Sequence, residues 1–405
     1  MHILLIHQAF AALDEPGGTR HHELARYLVA RGHRVTVIAS PISYLTGGKI
    51  TGAPTSASEP GLTILRTYTY PALHRSFVHR VFSFLSFMFS SFFAGLRLPA
   101  VDLVWGTSPP IFQSGAAWLL ARLKGAKFLF EVRDLWPAFA VEVGVLRSPL
   151  LIRAAEWFER FLYRRADQIM INSPGFEEHL RGKGVRKLAL IPNGTDIRMF
   201  DPDASGESFR REHGLQGKFI ALYAGAHGLS NDLGVLLQAA AELRDRPEIA
   251  IVLLGDGKEK PNLLAQAEQM QLTNVHFIAS IPKTAMPEAL AAADACIAIL
   301  KPLELYKTVY PNKVFDYLAA ARPVVLAIDG VIRQVVEEAQ SGVFAQPGDP
   351  SAIAQAIRTL AEQPAAAREM GQRGREYIAA HFDRLALAAK LETLLLEITA
   401  KGKQP

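Results

Sequence analysis

The sequence predicts an α/β protein made of two Rossmann-like domains, each a parallel β-sheet covered by helices. Three observations support this fold class. The length of 405 residues allows two domains that each bury a full core. Short apolar runs alternate with segments of helical periodicity along both halves of the chain, as in successive βαβ units. The composition, 49% hydrophobic and 20% charged, is that of a globular protein and excludes a disordered chain.

The first half opens with one βαβ unit. Ile3–Ile6 is an apolar run typical of a buried parallel strand, Arg20–Arg31 has helical periodicity, and Arg34–Ala39 is the next strand. Gly17 and Gly18 end the loop between the first strand and the helix. Open α/β sheets bind ligands at the carboxyl ends of their strands. The two glycines therefore either allow close approach of a phosphate or sugar or form a flexible turn. A G-x-G-x-x-G dinucleotide fingerprint is absent from the sequence.

The segment Val81–Leu96 contains no charged residue and six phenylalanines. Basic residues flank it: Arg75 and Arg80 before it and Arg97 after it. Its 16 residues are fewer than the roughly 18–20 that span a bilayer. Three interpretations stay open, namely a buried helix, an interfacial helix dipping into a membrane, and part of a groove for a lipid chain. We favour membrane or lipid contact, with Phe87 and Phe92 as the apolar contacts.

Charge is unevenly distributed between the halves. Residues 1–200 contain 23 Lys/Arg and 14 Asp/Glu, and residues 201–405 contain 21 and 25. A basic first half indicates an anionic partner, such as a membrane surface or a phosphate-bearing acceptor. Nucleic acid is disfavoured because the charge does not cluster with exposed aromatics in a recognised module.

The sequence also predicts a compartment. Cys296 is the only cysteine and lies in an apolar run, which indicates a core residue in a reducing compartment. The apolar N-terminus is too short for a signal peptide, so we expect a cytoplasmic protein.

A buried strand, Lys127–Val132, ends in the charged pair Arg133-Asp134. Charged residues at the carboxyl end of a buried strand lie where active sites gather. Arg133 and Asp134 are therefore candidate catalytic residues, or a structural ion pair that closes the loop.

The second half repeats the alternation of strand and helix after a polar segment, Pro202–Gly217, which resembles a linker. One predicted strand leads into a loop with Gly225 and His227, and another leads into a loop with Lys258 and Lys260. Such loops at the carboxyl ends of neighbouring strands converge, which favours a phosphate site.

The stretch Tyr310–Val325 reads as a loop, a helix and a strand. Asn312, Lys313 and Asp316 lie near the predicted helix N-terminus, where free N–H groups and the helix dipole favour an anion. A lysine there can bind the phosphates of a nucleotide sugar, and an aspartate three residues later can accept from ribose hydroxyls. The alternative is an ordinary surface Lys–Asp pair.

Seven pieces of sequence act together as a signature. They are Gly17-Gly18, Thr107–Pro110, Phe130–Pro137 (FEVRDLWP), Ser173–Phe176, Ile191–Asp196 (IPNGTD), Leu254–Lys260 (LGDGKEK) and Tyr310–Val325. With them the chain resembles the retaining glycosyltransferases of family 4, with the GT-B fold of two Rossmann-like domains facing a cleft. The likeness is strongest to fucosamine transferase-like bacterial enzymes that act on lipid-diphosphate intermediates of O-antigen or capsule.

The resemblance implies a domain plan. Residues 1–201 would bind the acceptor, 81–96 would contact membrane or lipid, and 202–217 would be the linker. Residues 218–380 would bind the nucleotide sugar, and 381–405 would form a helix that packs back on the first domain.

The resemblance also implies site residues, a polyprenyl-diphosphate-linked acceptor at the anionic inner membrane surface, and neither metal nor cofactor. The donor-binding set would be Gly17, Gly18, Gly225, His227, Lys260, Tyr310, Asn312, Lys313 and Asp316. The acceptor and membrane set would be Arg75, Arg80, Phe87, Phe92 and Arg97.

The sequence departs from the family pattern at three places. Many members carry Glu-x7-Glu in the last donor loop, where this chain has Thr308 and Asp316, with Glu304 off register. Arg133-Asp134 replaces a His-Asp pair. The usual Arg and Lys after the first strand of the second domain are missing, and His227 and Asn231 lie near that place.

Two other functions stay open from the sequence. A nucleotide-sugar 2-epimerase shares the two-domain architecture but needs no apolar helix with basic flanks. A non-catalytic nucleotide- or membrane-binding protein would bind without turnover.

Overall fold

The computed structural model describes residues 1–15, 17–43, 47–50, 56–71 and 75–400. The chain forms two compact units. The first contains residues 1–12, 18–192 and the chain from Leu385 on, and the second contains residues 13–17 and 193–384. Both units are parallel-sheet α/β folds, which confirms the predicted fold class.

The first unit is a twisted sheet between two helical layers. Its strands are β1 His2–Ile6, β2 Arg34–Ala39, β3 Ser56–Glu59, β4 Leu62–Arg66, β5 Leu103–Ser108, β6 Lys127–Val132, β7 Gln168–Ile171 and β8 Leu188–Leu190. Within the described residues the strand order is β3-β4-β2-β1-β5-β6-β7-β8, and every pairing is parallel except β3 with β4. The central strands β1 and β5 are buried along their whole length, as expected for strands covered on both faces.

The helices of the first unit follow the strands in sequence. They are α1 Arg20–Ala30, α2 Phe77–Arg97, α3 Phe112–Lys124, α4 Ala138–Glu142, α5 Pro149–Arg165 and α6 Glu177–Gly182, with the last helix of the chain, α15 Arg384–Ala400, joining from Leu385 on. On one face of the sheet, α1 packs beside α15, whose Leu387, Leu391 and Leu395 belong to the same buried cluster as Leu24 and Leu28.

The opposite face of the first sheet is covered by α2, α3 and α5. Close contacts join these helices. A Cβ on Gly95 of α2 would lie 2.5 Å from Leu120 of α3, and one on Gly115 of α3 would lie 2.7 Å from Phe158 of α5. The three helices therefore form one continuous layer.

The second unit is a six-stranded parallel sheet within the described residues, in the order β11-β10-β9-β12-β13-β14. Its strands are β9 Phe219–Ala224, β10 Ile249–Leu254, β11 Val275–Ile278, β12 Ala295–Ile299, β13 Val324–Ala327 and β14 Gly342–Phe344. Its helices are α7 Glu207–Glu212, α8 Leu233–Glu242, α9 Lys260–Gln269, α10 Met286–Ala291, α11 Asn312–Ala319, α12 Val331–Glu338, α13 Pro350–Glu362 and α14 Pro364–His381. Cys296 lies fully buried in β12.

Segment 202–217 differs from the linker that its polar composition suggests. It contains α7, and Phe209 and Leu215 are buried in the core of the second unit. The division between the units falls at Pro192 and Asn193, because the loop that follows β8 already bonds to the second unit. Two apolar residues in a polar segment are enough to dock a short helix against a core. The average composition of the segment does not show them, because the other residues are mostly polar.

Candidate active site

Loops of the second unit meet at the carboxyl ends of its central strands. Gly225 follows β9 and Gly255 follows β10. Both have positive φ angles, +151° and +147°, and a Cβ on Gly255 would lie 1.9 Å from the Gly225 carbonyl oxygen. Glycine at these positions lets two backbone turns approach each other at the strand ends.

Lys313 lies in the first turn of α11 and points over these loops. Its Nζ is 3.7 Å from the centre of the Tyr223 ring, and a Cβ on Gly225 would lie 2.8 Å from it. The ammonium is buried and has no hydrogen-bond partner among the described residues. Burial lowers the pKa of Lys313 from 10.5 to about 7. An unpaired buried ammonium is costly, so this position favours an anionic ligand.

His227 is the second unpaired group of this loop cluster. Its side chain is buried, and both ring nitrogens lack a hydrogen-bond partner in the described part of the chain. Burial, reinforced by the charge of Lys260, lowers the pKa of His227 to about 4, although Asp256 opposes the shift. The imidazole is therefore neutral at physiological pH and presents one donor and one acceptor.

Lys260 is held in place by its own loop. Its Nζ donates to the Gly255 carbonyl at 2.7 Å and forms an ion pair with Asp256 at 3.0 Å. It contributes positive charge to the cluster but is already partnered, unlike Lys313.

Asp316 is also engaged within the second unit. Its carboxylate accepts from Thr195 Oγ1 at 2.6 Å and from Lys283 Nζ at 2.5 Å. Asn193 Nδ2 donates to the Tyr310 carbonyl at 2.6 Å. The NGTD motif thus fixes the start of α11. Each carboxylate oxygen keeps a second acceptor position, so Asp316 still has capacity for a further donor.

The remaining donor candidates are spread over exposed positions. Asn312 is exposed at the first position of α11, and Gly17 and Gly18 are both exposed. A Cβ on Gly18 would contact nothing, so sterics do not require glycine there. Thr308 donates to the Leu305 carbonyl, and Glu304 pairs with Lys307 on the surface.

Lys283 was not predicted from the sequence. It follows β11 at the carboxyl end of that strand, and this position was the available signal. Its contact with Asp316 spans 33 residues of sequence, so no local pattern shows it.

In the first unit, a buried polar network centred on Glu131 lies near the ends of the central strands. Glu131 of β6 is buried and accepts from Arg20, from His21 Nε2 at 2.6 Å and from Trp105 Nε1 at 3.0 Å. Arg20 also donates to the Ile191 carbonyl at 2.8 Å. Although burial alone would raise it, the neighbouring His21 and Arg20 hold the pKa of Glu131 well below its usual range. Glu131 is therefore an ionised structural anchor.

Arg133 and Asp134 follow β6 at the same edge. Arg133 Nη2 lies 3.4 Å from the Pro109 carbonyl oxygen. Asp134 Oδ1 is buried without a hydrogen-bond partner in the described chain, and burial raises the pKa of Asp134 to about 7 despite the nearby charge of Arg133. Asp134 therefore changes its charge near neutral pH, a property common at functional sites.

His7 joins this group and was not singled out from the sequence. It follows β1 directly, is buried, and has no partner for either ring nitrogen among the residues described. Its ring packs edge-on against the His21 ring, with 4.4 Å between the ring centres. Burial and the charge of Arg133 lower its pKa well below 6.5. A polar residue immediately after a buried strand was the signal available.

The predicted membrane contacts need one correction. Phe87 is fully buried in the first unit, because it faces the sheet from the inner side of α2. Phe92 is half-buried, while Arg75 and Arg97 are exposed and Arg80 is half-buried. The exposed apolar side chains of α2 are Val78, Phe82, Phe89, Phe93 and Leu96, which recur at helical spacing.

The described residues contain no cluster of three His, Cys, Asp or Glu side chains that could hold a metal ion. In the same part of the chain, no helix combines the length and the apolar character needed to cross a bilayer.

Two family models match consecutive parts of this chain. The model described as "Glycosyl transferase 4-like domain" matches residues 17–194, and "Glycosyl transferases group 1" matches residues 205–377. The chain belongs to the family 4 glycosyltransferases. The recognition drawn from the sequence motifs is therefore confirmed.

Proteins with similar sequences include a glycosyl transferase and a glycogen synthase. WcaI of Escherichia coli (strain K12), which its name provisionally assigns as a colanic acid biosynthesis glycosyl transferase, is 27% identical over 370 residues, 87% of this chain and 90% of WcaI. A glycogen synthase of Mycobacterium tuberculosis (strain H37Rv) is 24% identical and aligns over 100% of this chain and 97% of its own.

Solved structures share the fold. Sucrose-phosphate synthase from Thermosynechococcus elongatus superposes with a TM-score of 0.80 at 21% identity, over 99% of both chains. HepE from Anabaena, in complex with UDP-glucose, gives a TM-score of 0.73 at 15% identity, over 98% of this chain and 100% of its own. The WaaG glycosyltransferase of lipopolysaccharide biosynthesis gives 0.69 at 16% identity, over 97% and 99%.

Proposed function

We propose that this glycosyltransferase moves a sugar from a nucleotide sugar to a lipid-diphosphate-linked acceptor in cell-surface polysaccharide synthesis. The proposed donor is a UDP-sugar, and the transfer retains the anomeric configuration. The observation that carries the proposal is Lys313, a buried ammonium without a hydrogen-bond partner in the described structure, beside the glycine turn that follows β9. A nucleoside diphosphate supplies the missing counter-charge.

Within the second unit, we assign each side chain of the proposed donor site a role. Lys313 takes the diphosphate, assisted by the charge of Lys260, and neutral His227 bonds to a phosphate or sugar oxygen. The Asp316 carboxylate accepts from a ribose hydroxyl through its remaining lone pairs. Preorganised positive charge stabilises the leaving diphosphate as its bond to the anomeric carbon breaks, often the largest catalytic contribution.

For retention, the acceptor hydroxyl attacks the face that the diphosphate leaves, and its proton passes to a departing phosphate oxygen. In the first unit, Arg133 and Asp134 assist at the acceptor. An Asp134 carboxyl that titrates near pH 7 accepts a hydrogen bond from a sugar hydroxyl when it is ionised.

The sugar that we propose is an N-acetylated or deoxy amino sugar, on the resemblance to fucosamine transferase-like enzymes. The name of WcaI, which places that relative in colanic acid biosynthesis, supports a role in surface polysaccharide assembly.

A lipid-linked acceptor would place the enzyme in the cytoplasm, bound peripherally to the anionic inner face of the membrane. The exposed phenylalanines of α2 and the flanking Arg75 and Arg97 support this location. The membrane contacts on α2 are then Phe82, Phe89 and Phe93 rather than Phe87.

A donor screen tests the proposal directly. UDP-, GDP- and TDP-sugars are incubated with a lipid-diphosphate acceptor, and the product and its anomeric configuration are determined. We expect transfer with one nucleotide class, and loss of about 100-fold or more in kcat/KM for Lys313→Met, since one preorganised charge contact is worth that much.

The matched control is Lys390→Met, which removes an exposed lysine of α15 and leaves turnover unchanged. Wild-type turnover by Lys313→Met would overturn the donor-site assignment. Conversion of the donor without any acceptor would instead indicate an epimerase.

A further inference from the structure

The helix α5 presents a stripe of exposed arginine and large apolar side chains. Leu150, Arg153, Trp157, Arg160 and Arg164 follow one another at spacings of three and four residues, so they share one face of the helix. All five are exposed, Leu150 by 76% and Trp157 by 66%. Exposed apolar side chains that form a patch rimmed by polar groups, rather than standing singly, indicate an interaction surface.

The stripe continues across the helical layer described above. Trp157 stacks on Phe161, and Phe161 packs edge-on against Trp118 of α3 at 4.8 Å. Beyond Trp118, α3 exposes Leu119 and Leu123, and α2 exposes its phenylalanine face. Exposed apolar side chains thus stand on three helices that pack together in the first unit, and we name α2, α3 and α5 together the aromatic layer.

The charge of the aromatic layer is almost all positive. Its cations are Arg80, Arg97, Arg122, Lys124, Arg153, Arg160, Arg164 and Arg165. Its carboxylates are Glu156 and Glu159, and Glu159 is buried and paired with Lys183.

The helices on the opposite face of the same sheet differ. Along α1 and along α15 from Leu385 on, the cations are Arg20, Arg26 and Lys390, and the carboxylates are Glu23, Glu392 and Glu397. The positive bias therefore belongs to one face of the first unit and is not a property of its surface as a whole.

We propose that the stripe on α5 is a second lipid-contact element, and that the aromatic layer as a whole lies on an anionic phospholipid surface with Trp157 at the headgroup level. Tryptophan favours the membrane interface, and arginines extend their apolar stems while their guanidinium groups reach phosphates. Anionic headgroups supply the charge that complements the arginines.

A second copy of this chain fits the surface less well. A symmetric dimer would set the same arginine stripe against itself, and like charges across an interface oppose association. The inference deepens the proposed function, since a lipid-linked acceptor would be met at this surface, but its chemistry does not depend on sugar transfer.

The test uses the full-length protein with acceptor-free vesicles. Vesicles of phosphatidylglycerol and phosphatidylethanolamine are compared with vesicles of phosphatidylcholine alone by co-sedimentation. We expect binding to the anionic vesicles that weakens as salt rises from about 0.1 M to about 1 M. Replacing Arg153 and Arg160 by Gln should lower the partition coefficient by about fivefold for each arginine.

Matched variants separate the stripe from general surface charge. Arg26→Gln with Lys390→Gln removes two exposed cations from the opposite face and should leave binding near the wild-type level. Equal losses in both double variants would overturn the proposal. A lipid brominated in its acyl chain should quench tryptophan emission in the wild type and less in Trp157→Phe, and identical quenching in the two would exclude Trp157 from the interface.

Two further outcomes bear on the occupant and on the function. Lipid-free self-association that Leu150→Ser abolishes would show a second copy on this surface and would overturn the lipid assignment. Since the vesicles contain neither donor nor acceptor, a failed transfer assay leaves their binding unaffected. Conversely, the α5 variants should retain transfer to a soluble short-chain acceptor, so the two proposals fail separately.

Discussion

At the scale of single residues, two unpaired groups of the second unit are the most informative. Burying a polar group without a partner costs about 1–3 kcal/mol, so a stable fold keeps few of them. Lys313 and His227 are both buried without partners in the described structure, whereas Lys260 and Asp316 beside them are paired. A ligand that hydrogen-bonds to an unpaired group removes this cost. Lys313 and His227 are therefore stronger candidates for ligand binding than their neighbours.

The lowered pKa of Lys313 has a measurable consequence for ligand binding. Between about pH 7 and its ordinary value of 10.5, the folded protein holds Lys313 neutral while the unfolded chain protonates it. Unfolding then takes up a proton, so the unfavourable contribution of this group to stability fades as the pH rises through that window. A bound diphosphate reverses the balance by favouring the ammonium form.

We therefore predict that UDP binding at about pH 8.5 takes up about one proton at Lys313, and that affinity falls as the pH rises above 7. The phosphate itself titrates near pH 6, well below this range. Calorimetry in two buffers of different ionisation enthalpy measures the uptake. Lys313→Met should bind more weakly with almost no uptake, and Lys390→Met should behave as the wild type. Equal binding enthalpies in both buffers would show that Lys313 does not charge on binding.

At the scale of elements, the two glycine turns after β9 and β10 form the floor of the proposed donor site. A Cβ on Gly255 would meet the Gly225 carbonyl oxygen, and a Cβ on Gly225 would meet the Lys313 side chain, so both positions favour glycine. The strand pairing of β9 with β10 fixes the approach of the two turns, since the two strands run in register from Phe219 and Ile249 to their ends.

Gly255→Ala should lower the free energy of unfolding by about 1–3 kcal/mol, because the new Cβ would meet a backbone carbonyl that no rotamer change can move. Gly228→Ala is the matched control, since its Cβ would meet only the Asn231 side chain at 3.6 Å. Urea unfolding followed by circular dichroism compares the two. Similar midpoints for both variants would mean that the turns can separate at little cost.

At the scale of the whole molecule, the first unit is discontinuous in sequence. Its core is completed by α15, which follows nearly 200 residues of the second unit. Leu387, Leu391 and Leu395 fill the same cluster as Leu24 and Leu28 of α1. The first unit therefore cannot bury this face until α15 is present.

We predict that Leu391→Ala destabilises the protein by about 2–5 kcal/mol, the usual cost of a cavity in place of a buried leucine. Leu391 is fully buried, whereas Leu396 of the same helix is 49% exposed. Leu396→Ala should therefore change stability by less than about 0.5 kcal/mol. Thermal unfolding measures the melting temperatures of both variants. Equal melting temperatures would show that Leu391 of α15 does not stabilise the core of the first unit.

The sequence by itself determined the fold class and the family, and it placed the loops of the proposed donor site at strand ends. The runs Lys127–Val132 and Val275–Ile278 have the same bounds in the structure, because short, mainly apolar segments bounded by turn signals favour strands. The spacing of apolar residues in Tyr310–Val325 predicted the start of a helix and of a strand. Both are present in the structure, as α11 and β13.

Only the tertiary structure decided which side chains of those motifs are paired and which are buried. The Lys283 contact with Asp316 and the contact of Lys313 with Tyr223 join residues far apart in sequence. The same limit explains the error at Phe87. An uncharged run fixes that a helix is apolar, but which of its faces meets the sheet depends on neighbours that the local sequence does not contain.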